Sequence, residues 1–246
     1  MKNQIRFGLI TWVLLTPAIV LHAADAAPGP DKTAWQISAA LGLSVTKGNS
    51  DTLLFTANVQ AGRKWAKNEV SLGADAAYGE NNSAKNVERY HAFAQYNRLL
   101  TERLYTFGRA DFLRDTIADL GYRVTLSPGF GYYFIKDEKS RLSGEAGPGF
   151  VFERQGNAND NYVTLRLAER FEHKFTAHTR LWQAMEFLPQ VDDFNNYIIN
   201  AEIGLETDLT DKMSLRTFLQ DTYDNVPAPG RKKNDLKLVT AIAYKF

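Results

Sequence analysis

From Trp35 to Phe246, large apolar side chains return at every second residue, segment after segment, and the spacing never settles into a helical period. Alternate residues of a strand point to opposite sides, so each segment predicts a strand with one apolar face and one polar or small face. In the first, Trp35, Ile37, Ala39, Leu41, Leu43 and Val45 share a face against Gln36, Ser38, Ala40, Gly42, Ser44 and Thr46. In the sixth, Tyr122, Val124, Leu126, Pro128, Phe130, Tyr132 and Phe134 oppose Arg123, Thr125, Ser127 and Gly131. The last places Leu236, Leu238, Thr240, Ile242, Tyr244 and Phe246 against Lys237, Val239, Ala241, Ala243 and Lys245. Segments within 53–65, 70–78 and 197–206 alternate as cleanly, whereas those near 87–100, 104–116, 179–190 and 213–224 carry mixed faces. Glu169 interrupts the apolar face made by Val163, Leu165, Leu167 and Phe171, which predicts either a bulge or a position near a membrane interface.

About twelve strands result, and their connections sort into two kinds. Short links follow the even strands, around Ala66-Lys-Asn68, Thr101-Glu-Arg103, Lys136 to Ser140, Thr176-Ala-His178 and Thr210-Asp-Lys212. After the first strand comes the turn Lys47-Gly-Asn-Ser-Asp51, and longer Asn- and Gly-rich links are expected at Gly79 to Asn86, Glu153 to Asn161, Pro189 to Asn196 and Asn225 to Asp235. Tight turns on one rim and long loops on the other are the outer-membrane barrel pattern, with the tight turns periplasmic. An even strand count returns both chain ends to the same side. A sheet in hydrocarbon must close, because every backbone N–H and C=O needs a partner. The expected fold is therefore an all-β, antiparallel, up-and-down transmembrane β-barrel over residues 35–246. Pro128 and Pro148 lie equally far from the turn Asp137-Glu-Lys139, so they should face each other across the sixth and seventh strands, at a bend in the wall.

The N-terminus adds an export route. Lys2 and Arg6 precede an apolar run from Phe7 to Val20, and Ala23, Ala24, Ala26 and Ala27 follow. That order predicts a secretory signal peptide over residues 1–26, with a periplasmic tail at 27–34. No cysteine occurs, which excludes disulfides, thiolate metal sites and a lipid-modified N-terminal cysteine. Lys plus Arg total 29 against 28 Asp plus Glu, so charge gives no reason to expect a nucleic-acid partner. No apolar stretch beyond the leader is long enough for a spanning helix, a test that barrel strands are not expected to pass.

The face turned from lipid carries both signs of charge: Asp75, Arg109, Asp111, Arg123, Glu145, Arg166, Arg170, Glu172, Glu186, Glu202, Glu206, Arg216, Lys237 and Lys245. Eight strands leave an interior that side chains fill and sixteen to eighteen leave a channel. Twelve, with long Arg and Glu side chains inside, predict a narrow or occluded lumen without a ring of one sign to select ions. Past the leader the histidines are His91, His173 and His178, none beside a serine in a nucleophile motif. Asp192-Asp193 reads as a solvated loop before it reads as paired acids or a cation site, and Arg231-Lys-Lys233 as a loop tip before a grip on anionic lipid. No catalytic, cofactor or metal residue is assigned.

Several of these segments carry a resemblance. Leu41-Gly-Leu-Ser-Val-Thr-Lys-Gly-Asn-Ser-Asp-Thr52, Asn97-Arg-Leu-Leu-Thr-Glu-Arg-Leu-Tyr105, Gly144-Glu-Ala-Gly-Pro-Gly-Phe150 and the terminal aromatic strand resemble the YdiY-like salt-induced outer membrane protein family. The resemblance implies an outer-membrane barrel in contact with lipid and lipopolysaccharide, and its name hints at an osmotic or salt response. It supplies no catalytic residue. Resemblance to outer-membrane barrels in general implies that the insertion machinery reads the strand ending in Phe246. Two other classes stay open at this point: a membrane-embedded hydrolase of lipase or protease type, and a soluble periplasmic barrel that holds a ligand inside.

Overall fold

A computed structural model describes residues 34–46 and 52–246 of the chain. The leader, nearly all of the tail and the turn Lys47-Gly-Asn-Ser-Asp51 lie outside the described residues. The strands are β1 (Gln36–Thr46), β2 (Thr52–Trp65), β3 (Asn68–Asn81), β4 (Ala84–Leu99), β5 (Leu104–Asp115) and β6 (Leu120–Lys136). They continue with β7 (Ser140–Gln155), β8 (Ala158–Lys174), β9 (Thr179–Pro189), β10 (Tyr197–Asp208), β11 (Met213–Asp224) and β12 (Asn234–Lys245). Each strand pairs antiparallel with the next, and β12 returns to β1 to close the barrel. Among the described residues the closing ladder runs from Ser38↔Lys245 to Leu41↔Ile242. The Phe246 amide extends it by donating to the Ile37 carbonyl at 3.1 Å.

Closure gives the alternation its meaning, because one face of every strand now points outward. Leu43 and Leu238 on that face are 68% and 66% exposed, while Ala243 on the inner face is fully buried. An exterior of Leu, Ile, Val and Phe contradicts a soluble barrel and suits hydrocarbon. Aromatic pairs stand at both ends of this apolar band. Tyr132–Phe134, His173–Phe175 and Tyr244–Phe246 lie 5.3, 5.0 and 5.0 Å apart near the rim of short turns. Phe187–Tyr197 and Tyr197–Tyr223, at 5.7 and 5.9 Å, lie near the opposite rim. Two aromatic girdles are what a transmembrane barrel places at the two interfaces.

Four of the five short turns share one device, and the fifth turns through Ala66 at φ 46°. Thr101, Thr176 and Thr210 each accept, through Oγ1, the amide three residues on, at 2.9, 3.0 and 3.0 Å. Asp137 receives the Ser140 amide in the same way. A side chain that satisfies its own turn's donors fixes a tight reversal without help from packing. On the other rim two expectations need correction. The links expected at Gly79 to Asn86 and Glu153 to Asn161 are two-residue turns at Asn82-Ser83 and Gly156-Asn157. Asn82 and Ser83 have φ of 49° and 62°, and Gly156 has 59°. These are left-handed values that match a hairpin's twist, so the polar flanks keep pairing and become strand. The loops 190–196 and 225–233 are long, as expected.

Glu169 stays on the outer face opposite Met185, with no bulge in the β8 ladders. Its carboxylate accepts from the amide of Gln183, which also faces out. One step beyond it toward the short turns stand Phe171 and His173 of the aromatic girdle. The interface reading of Glu169 fits; the bulge does not.

Candidate functional site

The lumen gathers the chemistry. The ladders place all fourteen of the charged residues expected on the inner face there, because hydrogen-bonded neighbours in register share a face. What sequence spacing does not reveal is that many of them join end to end. His91 Nδ1 lies 2.8 Å from Asp75, and its Nε2 faces Asp111 at 3.5 Å. Arg109 grips Asp111 with two donors at 2.7 and 2.6 Å and reaches Gln95 at 3.1 Å. Gln95 donates to Glu145 at 2.7 Å, Tyr105 donates to the same carboxylate at 2.9 Å, and Arg166 meets its other oxygen at 2.7 Å. Arg166 continues to Glu186 at 2.6 Å, and Asn200 donates to Glu186 at 3.1 Å. The chain of contacts runs around the wall from β3 to β10.

Such a network is worth having only when it is complete. Each buried ion costs on the order of several kcal/mol to desolvate, and a half-satisfied network is worse than an apolar one. Arg166 is 5% exposed and is met by two carboxylates as well as by the face of Phe107, 5.2 Å from its guanidinium. Glu206 is likewise closed in by Arg180 at 2.6 Å, Arg216 at 3.2 Å and the Ser214 hydroxyl at 2.6 Å.

The side chains lie along the wall because the neighbouring positions are small. An added Cβ at Gly131 would stand 2.2 Å from the Tyr105 ring, and one at Gly204 2.2 Å from Trp182. Each ring therefore rests flat on the adjacent strand. Arg216 does the same on the other wall. It crosses β12 to reach the Ser38 hydroxyl at 3.1 Å, over the buried cluster Ala40, Ala241 and Ala243. Ala241 and Ala243 are small because an arginine covers them.

One ion pair departs from this pattern. Arg123 on β6 meets Glu153 beside it and also Asp224 on β11, 3.2 Å away. These strands stand five apart in a ring of twelve, so the contact spans the lumen. It is the widest-reaching ion pair among the described residues, and it lies near the rim of long loops. Above it a recess is lined by β4, β5, β6, β11 and β12 and by the loop 225–233. Arg231, Lys232 and Lys233 line this mouth, which the sequence alone did not reveal.

The other candidates sit apart from the lumen network or inside it as structure. Asp192 accepts from Gln190 at 2.8 Å and Asp193 from the Asn195 amide at 3.0 Å, so both serve their own loop. Among the described residues no cluster of three or more metal-ligating side chains occurs. His173 lies 2.9 Å from Ser140 Oγ on the outer face, and among the described residues no carboxylate is hydrogen-bonded to it. Glu69, which accepts from the Tyr133 hydroxyl, and Gln95, Tyr105, Glu153 and Asp224 were missed in the sequence. The first hides at a strand end, the next two in mixed-face strands, and the last two in segments that read as loop or loop edge.

Known proteins agree with this architecture. The YdiY protein of Escherichia coli strain K12, described as uncharacterized, is 21% identical over 178 residues, which span 72% of this chain and 69% of that one. The translocator domain of the autotransporter NalP from Neisseria meningitidis superposes with a TM-score of 0.51 at 13% identity, covering 89% of this chain and 90% of that one. The NanC porin gives 0.53 at 7% identity, covering 87% and 100%. At these identities both barrels show likeness of fold alone, that of an outer-membrane β-barrel. The sequence profile of the family described as "Protein of unknown function, DUF481" matches residues 39–246, from β1 to the last residue, and the chain belongs to that family.

Proposed function

We propose that the protein is a non-enzymatic channel of the outer membrane, passing small solutes through a narrow lumen whose mouth is held by ion pairs. The observation that carries this reading is the contrast between the wall and the mouth. Rings and guanidinium groups lie flat on Gly and Ala along the wall, whereas Arg123–Asp224 reaches across five strands of the ring at the mouth. The rim of long loops faces the cell exterior and the short turns face the periplasm, as barrel anatomy has it. A salt-linked role fits a mouth lined by the exposed cations Arg231, Lys232 and Lys233, whose field is screened as the screening length falls from about 10 Å to about 3 Å between 0.1 and 1 M salt.

Planar-bilayer recording tests this directly. Purified protein is expected to give discrete conductance steps, and Arg123→Ala is expected to raise the unit conductance about twofold or more. Absence of steps from both proteins at every salt concentration defeats the channel reading.

The hydrolase reading loses its best base on geometry. Both ring nitrogens of His91 face carboxylates, which an imidazolium satisfies with its two N–H donors. In that state neither nitrogen accepts a proton from a nucleophile, which weighs against His91 as a general base. The reading of Phe246 as a delivery signal for the insertion machinery rests on its terminal aromatic pair with Tyr244 and its place on the closing ladder. Deleting Phe246 is expected to cut the amount of folded protein in the outer membrane several-fold, measured by heat-modifiable gel migration of membrane fractions. Unchanged folded protein would remove that role.

A further inference from the structure

The recess at the long-loop rim has a charge its position does not require. Arg89 and Arg123 enter it from β4 and β6, Lys237 from β12, and Arg231, Lys232 and Lys233 from the loop above. Three carboxylates, Asp115, Asp224 and Asp235, stand among these six cations. Arg123 already has Glu153 and Asp224 beside it. Asp115 and Asp235 are left against five cations, so the recess holds an excess of positive charge. Cations of one sign converging from separate walls repel one another, and the low-dielectric walls of a cleft concentrate that field. Along the wall the arginines Arg109, Arg166, Arg180 and Arg216 each have a carboxylate within 3.2 Å.

We infer that this recess is a binding site for a small soluble polyanion carrying phosphate or carboxylate groups. Two or more anionic groups would occupy the space between the β4–β6 wall and β12. The interspersed aspartates suit hydroxyls on the same ligand, since an ionised carboxylate can only accept hydrogen bonds. The strand residues that line the recess face inward, so a lipid headgroup packed around the outer wall does not reach them. The ligand therefore comes from solution. Equilibrium binding here does not require that the lumen conduct, so the site stands or falls apart from the channel reading.

Isothermal titration of the detergent-solubilised full chain with inorganic pyrophosphate tests the site. One saturable site per chain is expected. Arg89→Gln with Lys237→Gln should weaken it at least tenfold, and Arg231→Gln, Lys232→Gln and Lys233→Gln together should do the same. Lys67→Gln with Lys139→Gln, at the opposite rim, should leave affinity unchanged. The loop triple keeps the test alive if the strand pair fails to fold, because it changes exposed loop side chains and leaves the strand ladders intact. Absent binding, or equal losses at both rims, overturns the assignment. Competition by lipid A vesicles would make the ligand a headgroup and overturn its soluble origin.

Discussion

Glu145→Ala is expected to lower the stability of the folded barrel by about 3–5 kcal/mol, the cost of breaking a buried ion pair from one side. Three donors converge on this carboxylate from three different strands: Gln95 on β4, Tyr105 on β5 and Arg166 on β8. Removing it takes the carboxylate from Tyr105 and leaves Gln95 only Asn97, at 3.0 Å, and a buried donor without a partner carries a penalty of about 1–3 kcal/mol. Arg166 keeps Glu186, which limits the loss on that side. Glu145→Gln should cost clearly less, since one amide oxygen still accepts from Tyr105 or Gln95. The measurement is the urea midpoint of detergent-folded protein followed by tryptophan fluorescence, with the slope checked for constancy. A loss below about 0.5 kcal/mol for the alanine variant would mean that water fills the gap and that the wall network contributes little rigidity.

The sequence made the barrel legible because membrane closure imposes a strict rule on every strand. A period of two survives from Trp35 to Phe246, and the Thr turns at 101, 176 and 210 mark the short reversals. The rule weakens where water returns. Asn82-Ser83 and Gly156-Asn157 look like loops because their flanks are polar, yet polar residues pair in a hairpin that stands clear of the bilayer. The lumen was legible only by half. Spacing tells which residues face inward, so Glu145 and Arg166 were found. It does not tell how far a side chain leans along the wall. That depends on whether the neighbouring strand offers a glycine, as Gly131 does for Tyr105, and strand register decides the neighbour. The contact of Arg123 with Asp224 depends on closure of the whole ring, and no local pattern encodes it.

Register also decides what happens at the prolines. The paired residues of β6 and β7 stop at Leu126↔Phe150 and resume at Phe130↔Ala146, with Pro128 and Pro148 facing each other in the gap, as their spacing predicted. Ser127 Oγ is buried there without a hydrogen-bond partner. The two backbones come close: a Cβ at Gly147 would stand 2.1 Å from the Pro128 carbonyl oxygen and 2.8 Å from the Gly129 Cα. Gly147→Ala is therefore expected to destabilise by about 3 kcal/mol, the upper end for overpacking, because backbone and not side chain must move. Gly131→Ala makes the informative contrast. Its clash is with the Tyr105 ring, so Tyr105→Ala should relieve it, with a coupling of about 1 kcal/mol or more in a double-mutant cycle. Pro128→Ala should give no such relief to Gly147→Ala, since the offending oxygen is still there. A benign Gly147→Ala would instead show that the two strands part freely at the prolines. The gap in the ladder would then be a flexible seam in the wall, and no longer a fixed bend.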